Sequence, residues 1–300
     1  DLSRDPEKLE AKVAVVHRGV ALAEAFNTLG RQLETFENDL ISQTDKKVNQ
    51  VNVLLSQIAE LNQQIVKIHA MGQNANDLMD RRDLLVDELS GLINIEVEED
   101  DLGGYKILLS GTNHELVSAS GKKVNILNFD KANIELSIVD DDTINSVQLY
   151  SSGEPETFLS GEIFGYLQSI EETREYKENL DKLTKEFVVS INELYNEGFE
   201  SNKDATDSIH ANNLFILDNY SDEKDAAVSI RLNPTLIEDP SSLNAGDKNL
   251  PGDGELALKI AQMRNQKIKA LDDATFSEFY NRIVGQLGIE SQEAQRRVEN

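Results

Sequence analysis

The stretch Asn76–Val97, NDLMDRRDLLVDELSGLINIEV, changes its period in the middle, and that change decides how the chain is organised. Leu78, Leu85, Leu89 and Leu92 fall along one face of a helix. Past Gly91, Ile93, Ile95 and Val97 alternate with Asn94 and Glu96, the period-two pattern of a strand. A helix therefore hands the chain to a β region here. The front of the stretch packs four aspartates and two arginines into twelve residues, which raises the question of a metal or catalytic cluster. Asp77 and Asp80 lie in the first turn, where the helix dipole favours negative charge, and Asp77 precedes Arg81 in the favourable i, i+4 order. Asp80 and Asp83 could share a cation, but Arg81 and Arg82 already supply compensating charge. The cluster reads as the capped, solvated start of an amphipathic helix.

Upstream, the pattern is helical throughout. Asp5 before Pro6, followed by Glu7, predicts a helix start. Val13, Val16, Val20, Ala23, Phe26, Leu29, Leu33, Phe36 and Leu40 recur every three or four residues, which makes one apolar stripe. From Ile41 the stripe settles into a heptad-like seam of Val48, Val51, Leu55, Ile58, Asn62 and Ile65, widened by Leu54, Leu61 and Ile68. A continuous helix from Leu33 to Ile68 spans on the order of 54 Å at about 1.5 Å per residue. MGQNAN, residues 71–76, ends it with turn-forming residues.

Downstream, YKILLSG, HELVSASGKKVNILNF, IELSIVD and SVQLYS are short, β-branched and glycine-punctuated, which predicts an antiparallel β domain of some six strands over 93–159. A second helical stripe follows with Ile163, Leu167, Ile170, Leu180, Leu183, Phe187, Val188, Ile191 and Leu194. Residues 201–254 read as an irregular connection whose assignment stays open. Leu256–Lys269 is helical again, and TFSEFYNRIVGQLG begins a last helix at Thr275. The expected class is α+β and multidomain. Residues 1–92, 160–200 and 255–300 form a discontinuous helical rod or bundle, with 93–159 as an inserted β domain.

Composition narrows the function. The 300 residues allow a sizeable core, and with no Trp and only 6% aromatics that core is aliphatic. A net charge of −26 repels phosphate backbones and anionic lipid, so neither nucleic acid nor a membrane surface is an expected partner. No run approaches the roughly 18 apolar residues of a membrane span, and DLSRDPEKLE lacks the layout of a cleavable secretory signal. The absence of Cys removes disulfide frameworks, thiolate metal sites and cysteine nucleophiles. It fits a reducing compartment, or an exported protein that passes unfolded through a secretion channel.

No catalytic, cofactor-binding or metal residues are assigned. His17, His69, His114 and His210 are scattered, and no two of them stand at the paired spacing of a metal helix such as HExxH. Nucleophile elbows, phosphate loops and dinucleotide fingerprints are missing. DDLGG, VDDDT and SNKDATDS offer clustered oxygens, but none has the spacing of a calcium loop, and each reads as a solvated turn.

NDLMDRRDLLVDELS, residues 76–90, is similar to the pattern NDLLDQRDxLLxxLS of the flagellar hook-associated protein 1 family, with Met79 in place of leucine and Arg81 in place of glutamine. QIAELNQQI at 57–65, SGEIFGYLQ at 160–168, INELYNEGF at 191–199, AVSIRLNPTLIEDPSSLNAG and the final TFSEFYNRIVGQLG also follow the family order. The resemblance covers nearly the whole chain. It implies an extracellular structural protein of the bacterial flagellum, exported by the flagellar type III system, whose subunits form a ring joining hook to filament. Implied partners are its own subunits, the hook protein, the second hook–filament junction protein and an export chaperone that contacts a C-terminal helix. The terminal coiled helices of that family have no counterpart here, so the sequence is expected to be a core fragment, monomeric in isolation. Enzymatic activity is not expected. The rival readings are another axial protein, such as flagellin or the second junction protein, and an enzyme or sugar-binding module carried by the β insert.

Overall fold

Helix α1 (Leu9–Ala70) carries the whole apolar stripe and seam in one element of 62 residues. The computed structural model describes residues 2–112, 114–139, 146–151, 160–200, 213–218, 224–246 and 252–286. The helix begins at Leu9, three residues after Pro6, because residues 5–8 form a turn in which the Lys8 amide donates to the Asp5 carbonyl. It ends where Gly72, at φ 76°, takes the left-handed conformation that costs glycine little. Helix α2 (Asn76–Leu92) starts without a side-chain cap. Its cap position is Ala75, which is buried and packs with Leu61 and Ile65, so apolar packing and the first-turn Asp77 stand where capping was expected.

Six antiparallel strands follow, β1 (Ile95–Glu99), β2 (Tyr105–Leu109), β3 (Glu115–Val117), β4 (Ile126–Asp130), β5 (Glu135–Val139) and β6 (Ser146–Tyr150). They form two separate sheets, β1-β2-β3 and β4-β5-β6, each in chain order. Ile95 pairs with Leu109 in the first, and Ile126 with Val139 in the second. In β4 and β5 the inward residues are Leu127, Phe129, Leu136 and Ile138, alternating with more exposed neighbours. β1 behaves differently: past Ile95 it is exposed and carries Glu96, Glu98 and Glu99, a charged edge that discourages pairing with another chain.

Helix α3 (Glu162–Glu200) returns the chain, so the class is α+β, long helices with an antiparallel insert. The polypeptide divides into two compact units, residues 36–174 and residues 1–35 with 175–300. In the first, one core joins Val51, Leu55 and Ile58 of α1 and Leu89 of α2 to Leu167 of α3 and to Ile107, Leu127 and Leu136 of the sheets. The sheets have no separate core; they are roofed by helix. The seam residues Val48, Val51, Leu55, Ile58, Asn62 and Ile65 are each at 4% exposure or less.

In the second unit, Val16 and Ala23 of α1 pack with Val188, Ile191 and Tyr195 of α3. The described residues of the irregular segment belong to this core. They include the short strands β7 (Phe215–Ile216) and β8 (Arg231–Leu232), and the short helices α4 (Ala226–Ser229) and α5 (Pro234–Glu238). The helix expected over 256–269 is shorter. Helix α6 (Glu255–Gln262) gives way to a 3-10 turn at Met263–Asn265, because residues 264–267, Arg-Asn-Gln-Lys, are all exposed and give a longer helix nothing to bury. Asp272 and Asp273, both at positive φ, then turn the chain into the helix described over 276–286. Thr275 and Glu278 cap it reciprocally: the Glu278 amide donates to Thr275 Oγ1 at 3.2 Å, and the Thr275 amide to Glu278 Oε2 at 2.8 Å. Hydrogen bonding to the Glu278 carboxyl from the Thr275 amide, and then from the Thr275 side chain, holds it below its ordinary range. The upstream stripe is only partly packed, with Leu29 and Phe36 remaining exposed.

Candidate functional site

Three asparagines on helices grip strand backbone in the same way. Asn62 Nδ2 donates to the Tyr105 carbonyl at 2.7 Å, and its Oδ1 accepts from the Tyr105 amide at 3.0 Å. Asn52 pairs with both backbone groups of Leu127 at 2.8 Å each. Asn192 donates to the Phe215 carbonyl at 2.8 Å and accepts from the Leu214 and Phe215 amides. The carboxamide carries a donor and an acceptor side by side, so each asparagine presents to the strand what a neighbouring strand would. A helix is thereby joined to strand backbone with little buried polarity left over.

At Asn62 the joint has further parts. Arg82 of α2 is fully buried; its Nη1 donates to Asn62 Oδ1 at 3.2 Å and to the Gly103 carbonyl at 2.5 Å. Its Cζ lies 3.3 Å from the centre of the Tyr105 ring, a cation stacked on an aromatic face. Burial pushes the Tyr105 hydroxyl up from its ordinary range; Arg82 opposes this and the Asp83 carboxylate adds to it. The intervening turn is closed by Asp100, whose Oδ1 accepts from the Leu102 and Gly104 amides at 3.0 and 2.7 Å. His69 Nδ1 stands 2.9 Å from the Leu102 carbonyl, so that nitrogen is the donor. Gly103 has φ 77°, and a Cβ on Gly104 would come within 2.1 Å of the Ala119 carbonyl oxygen. Gly103 is therefore required by its left-handed conformation, and Gly104 by the close approach of the Ala119 backbone.

The arrangement ties α1 and α2 to the turn over residues 100–104 and to the start of β2. Asp77, Asp80, Arg81, Asp83 and Asp87 of the charge cluster are exposed, whereas Arg82 turns inward. Arg82 is therefore not the solvated counter-charge that the sequence predicts. The signal was available: residues 78, 82, 85, 89 and 92 share one helical spacing, which puts Arg82 on the leucine face. Asn62 carried a similar signal as the polar member of an aliphatic seam. Asp100 of DDLGG caps a turn; most of VDDDT, all of SNKDATDS and His210 lie outside the described residues. His17 is exposed and His114 half-buried.

Among the described residues, no three His, Cys, Asp or Glu side chains are grouped to hold a metal, and no helix is long and apolar enough to cross a membrane. The second unit has an apolar groove of about 330 Å³ floored by Phe26, Leu183 and Phe187 and bordered by Leu22, Phe276 and Tyr280. Its described lining carries no carboxylate, histidine, lysine or arginine.

Residues 1–210 match the family model described as the flagellar hook-associated protein FlgK helical domain. The chain belongs to that family. Both strings that meet at the joint, QIAELNQQI with Asn62 and NDLMDRRDLLVDELS with Arg82, lie inside the matched region. Flagellar hook-associated protein 1 of Bacillus subtilis (strain 168) is 28% identical over 323 aligned positions, covering 100% of this chain and 63% of that protein. The protein of the same name in Escherichia coli (strain K12) is 26% identical over 84% of this chain, and that in Salmonella typhimurium 24% identical over 84%, each matched over 45% of its own length. The chain thus spans between about half and two thirds of the length of these relatives.

Proposed function

We propose that this chain is part of a structural subunit of the bacterial flagellum, exported by the flagellar type III system and assembled as a ring between hook and filament. The family match over residues 1–210 is the observation that carries this reading. The asparagine joints support it, because a subunit that transmits force between two tubes needs its helices and sheets coupled by directional bonds as well as by apolar packing. In this reading the partners are further copies of the chain, the hook protein on one side and the second junction protein on the other. Its site of action is outside the cell, and its role is mechanical, not enzymatic. The domains are a discontinuous helical body, 1–92 with 160–200 and 255–300, carrying the insert 93–159. The isolated chain is monomeric.

A cell whose own hook-associated protein 1 is deleted provides the test. The full-length gene product, tagged in its β insert, restores filaments, and gold label falls in a single band where hook meets filament. Label distributed along the filament would identify it instead as a filament subunit, and assembled filaments carrying no label would remove it from the axial structure. Light scattering of the 300-residue chain reports a monomer; a stable ring would overturn that part.

A further inference from the structure

Arg82 is fully buried, yet half of its guanidinium is unused. Nη1 serves Asn62 and Gly103, while among the described residues Nε and Nη2 have no hydrogen-bond acceptor. Those two groups form the side edge of the fork, whose parallel N–H bonds match the two oxygens of a carboxylate. A buried cation whose hydrogen-bond acceptors are a neutral amide and a carbonyl is costly unless a counter-charge closes on it. The ion pair recorded for Arg82 is with Asp83, whose Oδ1 stands 3.8 Å from Nε. That is about 1 Å beyond the usual length of a charge-assisted hydrogen bond. The Asp83 side chain is 51% exposed, so it has room to move. Adjacent residues on a helix ordinarily point apart. Here Arg82 turns in beneath the Asp100–Gly104 turn while Asp83 stays at its rim, beside the Tyr105 ring on which the guanidinium stacks.

We propose that Asp83 and Arg82 form a carboxylate clasp. The Asp83 side chain swings from the rim onto the Nε/Nη2 edge, closing a two-point ion pair that locks the Asp100–Gly104 turn, and with it the β1–β2 hairpin, onto α1 and α2. Closure neutralises the buried cation and leaves Nη1 fixed on Asn62 and Gly103. The proposal rests on the geometry of residues 62–105 and stands apart from the flagellar reading.

Hydrogen exchange of the amides at 102–105, together with melting curves at low salt and in 1 M NaCl, tests it on the whole chain. Asp83→Asn is expected to speed exchange by about tenfold and to lower the melting temperature, at both salt concentrations. Asp83→Glu, which keeps the carboxylate, should restore most of the protection. In an Arg82→Lys background, which keeps charge but loses the fork, Asp83→Asn should add nothing. Exchange in Asp83→Asn equal to that of the unsubstituted chain, an effect abolished by 1 M NaCl as for a solvated surface pair, or strict additivity with Arg82→Lys would each overturn the clasp. If Arg82→Lys does not fold, the contrast between Asn and Glu at position 83 decides alone.

Discussion

The side chain of Asn62 and the backbone of Tyr105 form a closed two-point pair, donor to carbonyl at 2.7 Å and amide to acceptor at 3.0 Å, at a position with no exposure to solvent. Asn62 also takes one hydrogen bond from the buried Arg82 and gives a second, longer one to the Ser118 carbonyl. Replacing it by leucine keeps the volume and loses all of these bonds. With a buried donor or acceptor costing roughly 1–3 kcal/mol when left unpaired, Asn62→Leu should lose about 3 kcal/mol or more. Urea titration measures this; a loss below about 1 kcal/mol would mean that the joint contributes little.

Leu55 has no solvent exposure and Leu61 has 6%, so Leu55→Asp and Leu61→Asp each place an unpaired charge in the packed seam. Both should abolish the cooperative melting transition near room temperature or move it far down. Val53 lies on the same helix at 55% exposure, and Val53→Asp should leave the transition within a few degrees. Melting curves alike for all three would remove the seam assignment.

Gly104→Ala brings a methyl group to within 2.1 Å of the Ala119 carbonyl oxygen, a contact that only a backbone shift can relieve. The expected result is a loss of about 1–3 kcal/mol, with the disturbance centred on the 100–104 turn. Gly91→Ala meets nothing within 4 Å and lies inside α2, where alanine is favoured by roughly 1 kcal/mol. It should be neutral or stabilising, and the pair of denaturation curves separates steric demand from helix propensity.

Burial pushes the Tyr195 hydroxyl up to about 12, although it also accepts a hydrogen bond from the Asn244 amide at 3.1 Å. In the unfolded chain a tyrosine ionises near 10. The folded state therefore keeps its proton where the unfolded state gives it up, so this stabilisation is complete below about pH 10 and is lost as pH rises towards 12. Tyr195→Phe should flatten the decline of stability over that range. A decline of the same slope in the variant would assign it to other groups.

Element types were legible because period is a local property. The 3.6 spacing of Val51, Leu55, Ile58 and Leu89 and the alternation of Leu127 and Phe129 follow from where Cβ points in helix and strand. The helix start at Thr275 was equally local, and the cap found there joins Thr275 to Glu278, only three positions apart. Harder to read were polar residues on apolar faces. From the sequence, Asn62 reads as one more member of the seam and Arg82 as a compensating charge at a helix start, because what satisfies each of them lies 20 to 56 residues away in the chain.

The amino-acid sequence by itself determined the handover from helix to strand near Gly91, the aliphatic seam and the family to which the chain belongs. The tertiary structure alone decided that six strands divide into two sheets sharing the helices' core, and that asparagine amides join helix to strand. It also decided that the most distinctive charge cluster sends one arginine inward. The physical reason is that periodicity is encoded residue by residue, whereas the fate of a buried polar group depends on whether distant backbone arrives to satisfy it.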